Sequence, residues 1–282
     1  MFAVRQFRFF FIFATLFLSG CSHLFYYPKE QQFYHPSQVQ MEFEDVSFKD
    51  QAGNNLTGWW FPAKTKQPKG TFVFFHGNAE NMTTHFLSMR WLPEQGYNYF
   101  IFDYPGYGKS TGVPSPQSTV ESGHAALRWV HQNKDPNPLI IYGNSLGGVI
   151  SMRALLDLKK EIPVRAMIAD DTFSSYQRVA RIKLSKSFLT WILQPLVYVL
   201  LSDYYAPQKI ADISPIPMLI IHGDKDTTVE TENGEILFRE AAEPKEFWLK
   251  KDGVHGDTFW RHDFIYRTKV LEWLERVSHP AQ

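Results

Sequence analysis

The residues Gly143-Asn144-Ser145-Leu146-Gly147 carry the clearest chemical signal in the chain. They follow an apolar run at 139–142 and open a helical stretch at 146–159, which is G-x-S-x-G in the strand-to-helix setting that a nucleophilic serine needs. So sharp a turn leaves no room for neighbouring Cβ atoms, hence the flanking glycines. The helix that follows offers free N–H groups and the positive end of its dipole to a developing oxyanion. Acyl transfer through a covalent intermediate is therefore the chemistry expected of Ser145. Two other chemistries fail on spacing. Gly108-Lys109-Ser110 ends like a phosphate-binding loop, but such a loop needs Gly five places before Gly108, where Asp103 stands. The ten histidines contain no H-E-x-x-H or similar zinc pattern, and the single cysteine, Cys21, excludes intrachain disulfides and multi-cysteine metal sites. No metal or cofactor is expected.

A serine at such a turn must be positioned by a sheet and a helix, and the rest of the chain supplies both. Residues 42–49 and 56–62, joined by a Gly- and Asn-bearing turn at 50–55, read as an antiparallel hairpin. Short runs at 71–75, 99–102, 139–142, 166–169 and 218–221 have the apolar character of strands buried on both faces, and 247–250 reads as the last strand. Helical stretches at 82–95, 117–132, 146–159, 230–241 and 257–276 alternate with them. The pattern predicts an α/β fold with a mostly parallel, doubly wound sheet and ligand chemistry at the C-terminal ends of its strands. Residues 172–213 break the alternation, being far longer than the usual connection of about 2 to 6 residues. They are expected to form a helical cap. Its first part carries Arg178, Arg181, Lys183 and Lys186, and its second, 188–201, is almost entirely apolar apart from Gln194-Pro195.

With Gly143–Gly147 in this setting, the chain resembles the alpha/beta-hydrolase superfamily, in its lipoprotein, serine-aminopeptidase-like branch, over about residues 42–277. The resemblance implies a Ser, Asp, His order. The acid then follows the strand at 218–221, where His222-Gly223-Asp224-Lys225-Asp226 offers two carboxylates; the family's H-G-x-x-D pattern selects Asp226 over Asp224, with Asp170 and Asp171 as further candidates. The base falls in Asp252-Gly253-Val254-His255-Gly256, a bend expected to be mobile, while His262 falls in a helical pattern as a surface or packing residue. The family's His-Gly-x loop corresponds to His76-Gly77-Asn78, whose Asn78 N–H would pair with that of Leu146 as the oxyanion hole. Asp103 is then a structural residue of a turn beside the site.

With 29 basic and 29 acidic residues the chain has no net charge, which gives no reason to expect a nucleic-acid partner. Arg5 and Arg8 precede an apolar run at 9–18, too short for a bilayer that takes roughly 20 residues, so 1–20 reads as a secretory signal. Leu18-Ser19-Gly20-Cys21 resembles the bacterial lipobox, which implies an acylated Cys21, a tether at 21–41, a hydrolase domain at 42–282, and a bacterial envelope location on the membrane. Ser22 after the cysteine points to the periplasmic face of a Gram-negative outer membrane. The expected substrates are carboxylic esters or thioesters of moderately apolar acyl groups, because the cap between Phe173 and Leu201 has no carboxylate to hold a peptide's amine. A serine peptidase or aminopeptidase on small peptides, and a non-catalytic envelope lipoprotein on a hydrolase scaffold, are the alternatives.

Overall fold

The computed structural model describes residues 25–134, 138–261 and 264–278. The expected signal at 1–20, the expected lipidation site Cys21, and His262 lie outside them. Eight strands form one sheet: β2 (Glu44–Lys49), β3 (Asn55–Phe61), β4 (Thr71–Phe75), β6 (Asn98–Phe102), β7 (Leu139–Asn144), β8 (Val164–Asp170), β9 (Met218–Gly223) and β10 (Lys245–Lys250), in the order β10-β9-β8-β7-β4-β6-β3-β2. The β2–β3 and β3–β6 pairs are antiparallel and the others parallel. A separate parallel pair joins β1 (Tyr27–Pro28) to β5 (Ala79–Glu80).

Every residue of β4, β6, β7 and β9 is buried, as strands covered on both faces require. Alternate side chains feed two cores. Val73, Phe75, Phe100 and Ile141 enter one, and Phe72, Phe74, Tyr99 and Ile140 enter the other across the sheet. The first core is closed by α2 (Pro116–Asn133) and α3 (Leu146–Leu158), and the second by α1 (Met82–His85) and α8 (Ile265–Ser278).

Two helical expectations need correction. Residues 82–95 form only α1 followed by the 3-10 turns Phe86–Met89 and Pro93–Gln95; Pro93 has no N–H to continue a helix and Gly96, at φ 86°, ends the segment. The last helix starts at Ile265 rather than 257, because Asp257 and Thr258 are drawn into the interior by Lys250. Between β8 and β9 the cap consists of α4 (Tyr176–Ser185), α5 (Phe188–Trp191) and α6 (Gln194–Leu200). Pro195 sits in the first turn of α6, where its missing N–H costs nothing. α7 (Thr231–Glu240) then packs beside β9 and β10.

The tightest packing is at the β4–β7–α3 junction. A Cβ on Gly147 would lie 1.9 Å from the Phe75 carbonyl oxygen, a backbone atom that cannot turn aside. Gly147→Ala is expected to cost at least the ~1–3 kcal/mol of ordinary overpacking, read as a lowered urea midpoint with an unchanged slope.

Candidate active site

Ser145 joins β7 to α3 with φ 54° and ψ −123°, a conformation that a non-glycine residue keeps only when its surroundings enforce it. They do so from both sides. Its N–H donates to the Asp170 carbonyl at 2.9 Å, and its own carbonyl accepts from Gly148 N–H at 3.0 Å and from the Thr172 hydroxyl at 2.5 Å. A Cβ on Gly143 would meet Ser151 Oγ at 2.3 Å, and one on Gly148 would meet Thr172 Oγ1 at 2.4 Å, so the glycines around the serine are obligatory for the reason expected.

Of the carboxylates after β9, the fold brings Asp226 to the histidine. His255 Nδ1–H donates to Asp226 Oδ2 at 2.6 Å, while Asp226 Oδ1 accepts the backbone N–H groups of Thr228 and Val229 at 2.8 and 2.9 Å. Asp224 is exposed and not among the acceptors of His255. Burial pushes the His255 imidazolium down, but the hydrogen bond and charge of Asp226 outweigh it and leave the ring above its ordinary value. Burial likewise pushes the Asp226 carboxyl up, and its bond to His255 turns the balance downward. The loops after β9 and β10 meet because both contain glycine: a Cβ on Gly223 would lie 2.4 Å from the Gly253 carbonyl oxygen, and Lys225 N–H donates to that oxygen at 2.9 Å. A Cβ on Gly256 would stand 3.9 Å from Asn144 Oδ1, which puts the histidine loop beside the serine turn.

The expected mobile bend around His255 is in fact pinned. Lys250, wholly buried, donates through Nζ to Asp171 Oδ2 (2.7 Å), Thr258 Oγ1 (2.8 Å) and Asp257 Oδ1 (2.9 Å). The same two carboxylates grip the loop: Asp171 Oδ2 accepts Gly256 N–H at 2.7 Å and Asp257 Oδ2 accepts Val254 N–H at 3.0 Å. Burial alone would push the Lys250 ammonium down; Asp170 and Asp171 hold it above its ordinary value. Lys250 and Asp257 carry no signal in the sequence, and Asp170 and Asp171, considered there as acids, belong to this support. Asp171, Asp226 and His255 have ligand-type atoms within 4.8 Å of one another, but these atoms are committed to the hydrogen bonds just given, with Asp171 Oδ1 taken by Gly223 N–H.

Ser145, Asn78 and Leu146 line one cavity of about 630 Å³, within the range of ligand pockets. Leu146 is the first residue of α3, so its N–H has no partner inside the helix. Leu193, Leu196, Val197 and Leu200 of the cap form part of its wall, and Lys183 is the one charged residue of the lining among the described residues. The outer face of the cap is also apolar, with Phe188 92% and Leu189 82% exposed. Its cations are paired at the surface: Lys183 and Lys186 with Glu230, Arg178 with Glu240, and Arg181 with the Tyr198 hydroxyl. Among the described residues no helix is long and apolar enough to cross a membrane.

A sheet of this order with a serine on the turn after β7 defines an α/β-hydrolase. The model of the serine aminopeptidase S33 family matches residues 66–208. The protein YfhR of Escherichia coli K12 is 34% identical over 264 residues, covering 92% of this chain and 88% of that one. The chain belongs to this hydrolase family. A lysophosphatidylserine lipase, ABHD12 of Danio rerio, is 27% identical over 78% of this chain and 62% of its own length. The crystal structure of the Pyrococcus furiosus esterase Pf2001 superposes with a TM-score of 0.70 at 20% identity, covering 89% of this chain and 97% of that one.

Lys250→Met strands the carboxylates of Asp171 and Asp257 in the interior. The expected loss is about 3–5 kcal/mol, the penalty for breaking a buried ion pair, measured by urea unfolding. A loss below about 1 kcal/mol, the scale of a surface pair, contradicts the structural weight given to Lys250.

Proposed function

We propose that this hydrolase is a serine carboxylesterase acting on esters of apolar acyl chains. The observation that carries the reading is a strained serine opening, with Asn78 and Leu146 beside it, into a cavity walled by aliphatic cap residues, with a His–Asp hydrogen bond supplied by the neighbouring loops. His255 takes the Ser145 proton through Nε2 as Oγ attacks the acyl carbon. The N–H groups of Asn78 and Leu146 receive the oxyanion, each such donor contributing about 2.7–4 kcal/mol. On collapse His255 protonates the departing alkoxide, and water then cleaves the acyl-enzyme by the same route. Asp226 holds the imidazole in the required tautomer and stabilises its charged form. Among the described residues the cavity lining contains no carboxylate to capture a peptide's amino terminus, which favours an ester over an aminopeptidase substrate despite the family's description. Similarity to an esterase fold and to a lysophosphatidylserine lipase supports the same choice.

The N-terminal reading is a proposal of its own: Cys21 is acylated after removal of 1–20 and holds the domain on a membrane of the bacterial envelope. Metabolic labelling with palmitate that is present in the wild type and lost in Cys21→Ala supports it, and equal labelling of the two rejects it.

Ser145→Ala and His255→Ala are expected to lower kcat by roughly 10⁴-fold or more, because members of such a set act as one unit, and fluorophosphonate should label the wild type but not Ser145→Ala. Asp226→Asn should be severely impaired and Asp224→Asn should not. Only the neutral imidazole accepts the serine proton, and His255 is held above its ordinary value. The acid limb of kcat/KM should therefore have its midpoint above about 6.5, and Asp226→Asn should move it to lower pH. Acyl length is read against the cap: each methylene buried is worth about 0.8 kcal/mol, or roughly fourfold, and Leu196→Asp should erase much of that gain from butyrate to octanoate esters.

A further inference from the structure

Residues 25–29 lie along the loop that follows β4. The Tyr27 N–H donates to the Asn78 carbonyl at 2.9 Å, and the Tyr107 hydroxyl donates to the same oxygen at 2.8 Å. β1 then continues beside β5, with Lys29 N–H on the Glu80 carbonyl at 3.1 Å. Lys29 is clamped in turn, its carbonyl accepting from Asn81 Nδ2 at 2.7 Å and from Gly108 N–H at 3.0 Å. Side chains alternate as in any extended strand. Tyr26 is buried, its hydroxyl against Thr119 and Tyr176, whereas Phe25 and Tyr27 both line the cavity that holds Ser145. The Phe25 ring also meets Tyr176, the first residue of the cap, edge-on at 5.0 Å.

The Asn78 carbonyl thus receives one donor from the β1–β5 ladder and a second from the distant Tyr107, and the same segment sends Phe25 and Tyr27 to the lining of the cavity at Ser145. We propose that residues 25–29 are a working part of the active site: with Tyr107 they position Asn78 for the oxyanion, and through Phe25 they form an acyl-contacting wall that sets chain-length preference. This rests on the reading of Ser145 as nucleophile and Asn78 as oxyanion donor. Tyr107 and the Tyr27 N–H are positioning groups, acting through Asn78, and Phe25 is a specificity residue.

The test uses the full-length protein with p-nitrophenyl acetate and p-nitrophenyl octanoate. Tyr107→Phe and Tyr27→Pro each remove one donor to the Asn78 carbonyl, and each should lower kcat about tenfold, as the loss of one hydrogen bond allows, with the loss in kcat rather than KM. Phe25→Ala should lower the octanoate-to-acetate ratio of kcat/KM about tenfold, as the loss of buried apolar contact allows, and Phe25→Leu should restore most of it. Kcat within twofold of wild type in Tyr107→Phe and Tyr27→Pro overturns the positioning role. A kcat loss that merely follows a lowered melting temperature also overturns it. An unchanged ester ratio in Phe25→Ala overturns the wall, and that half-buried position tolerates truncation whatever happens at Tyr107. A wild-type protein that hydrolyses neither ester and takes no fluorophosphonate label at Ser145 instead overturns the esterase reading on which the proposal stands.

Discussion

The arrangement depends on one buried ammonium. Lys250 ends the outermost strand, β10, and its Nζ lies among Asp171 from the end of β8 and Asp257 and Thr258 from beyond the histidine loop. Taking that charge from water costs several kcal/mol, and only compensation by carboxylates at hydrogen-bonding distance makes it tolerable. The carboxylates are held by the lysine and are then free to accept backbone N–H groups on either side of His255, at Val254 and Gly256. The position of the imidazole is thus set by an electrostatic requirement lying behind it. A loop of Gly253 and Gly256, intrinsically permissive, becomes a fixed arm.

The serine turn is constrained in another way. Its strain is supported by volume and by short hydrogen bonds to Asp170 and Thr172, both from the strand end next to β7. Asp170 belongs to both systems: its carbonyl holds Ser145 N–H, and its side chain accepts from Tyr142 at 2.6 Å and from Thr258 at 2.7 Å. Thr258 is also a ligand of Lys250. The serine turn and the histidine arm therefore share a short chain of contacts that does not pass through the cavity at Ser145.

What could be read in the sequence was local. Runs such as Thr71-Phe72-Val73-Phe74-Phe75 announce buried strands by composition alone, and Gly143–Gly147 announces its turn because the steric demand on each glycine is met within a few residues. Asp226 could be preferred to Asp224 by a family pattern, although the two lie only two residues apart. Lys250 could not be found, since its partner Asp171 is 79 residues away and a lysine closing a strand ordinarily reaches solvent. The same holds for the pairing of the cap cations, whose partners Glu230 and Glu240 lie beyond the cap in the sequence. The strap at 25–29 has no periodicity long enough to register, its pairing with β5 being two residues long.

The cap is joined to the body by a different kind of bond from those that hold the sheet together. Its base is packed into the core through Phe173, Tyr176 and Val179, while beyond that it meets the body through side-chain pairs at Glu230 and Glu240, through Arg153 on the Tyr204 carbonyl, and across the walls of a cavity. None of these fixes the register of a strand. Substitutions in 188–201 can therefore accumulate without disturbing the residues that carry the chemistry, whereas those around Lys250 must change together or not at all. Lineages that share this scaffold would be expected to diverge fastest along the outer cap and slowest around Lys250, so that the wall of the cavity drifts on a body that stays the same.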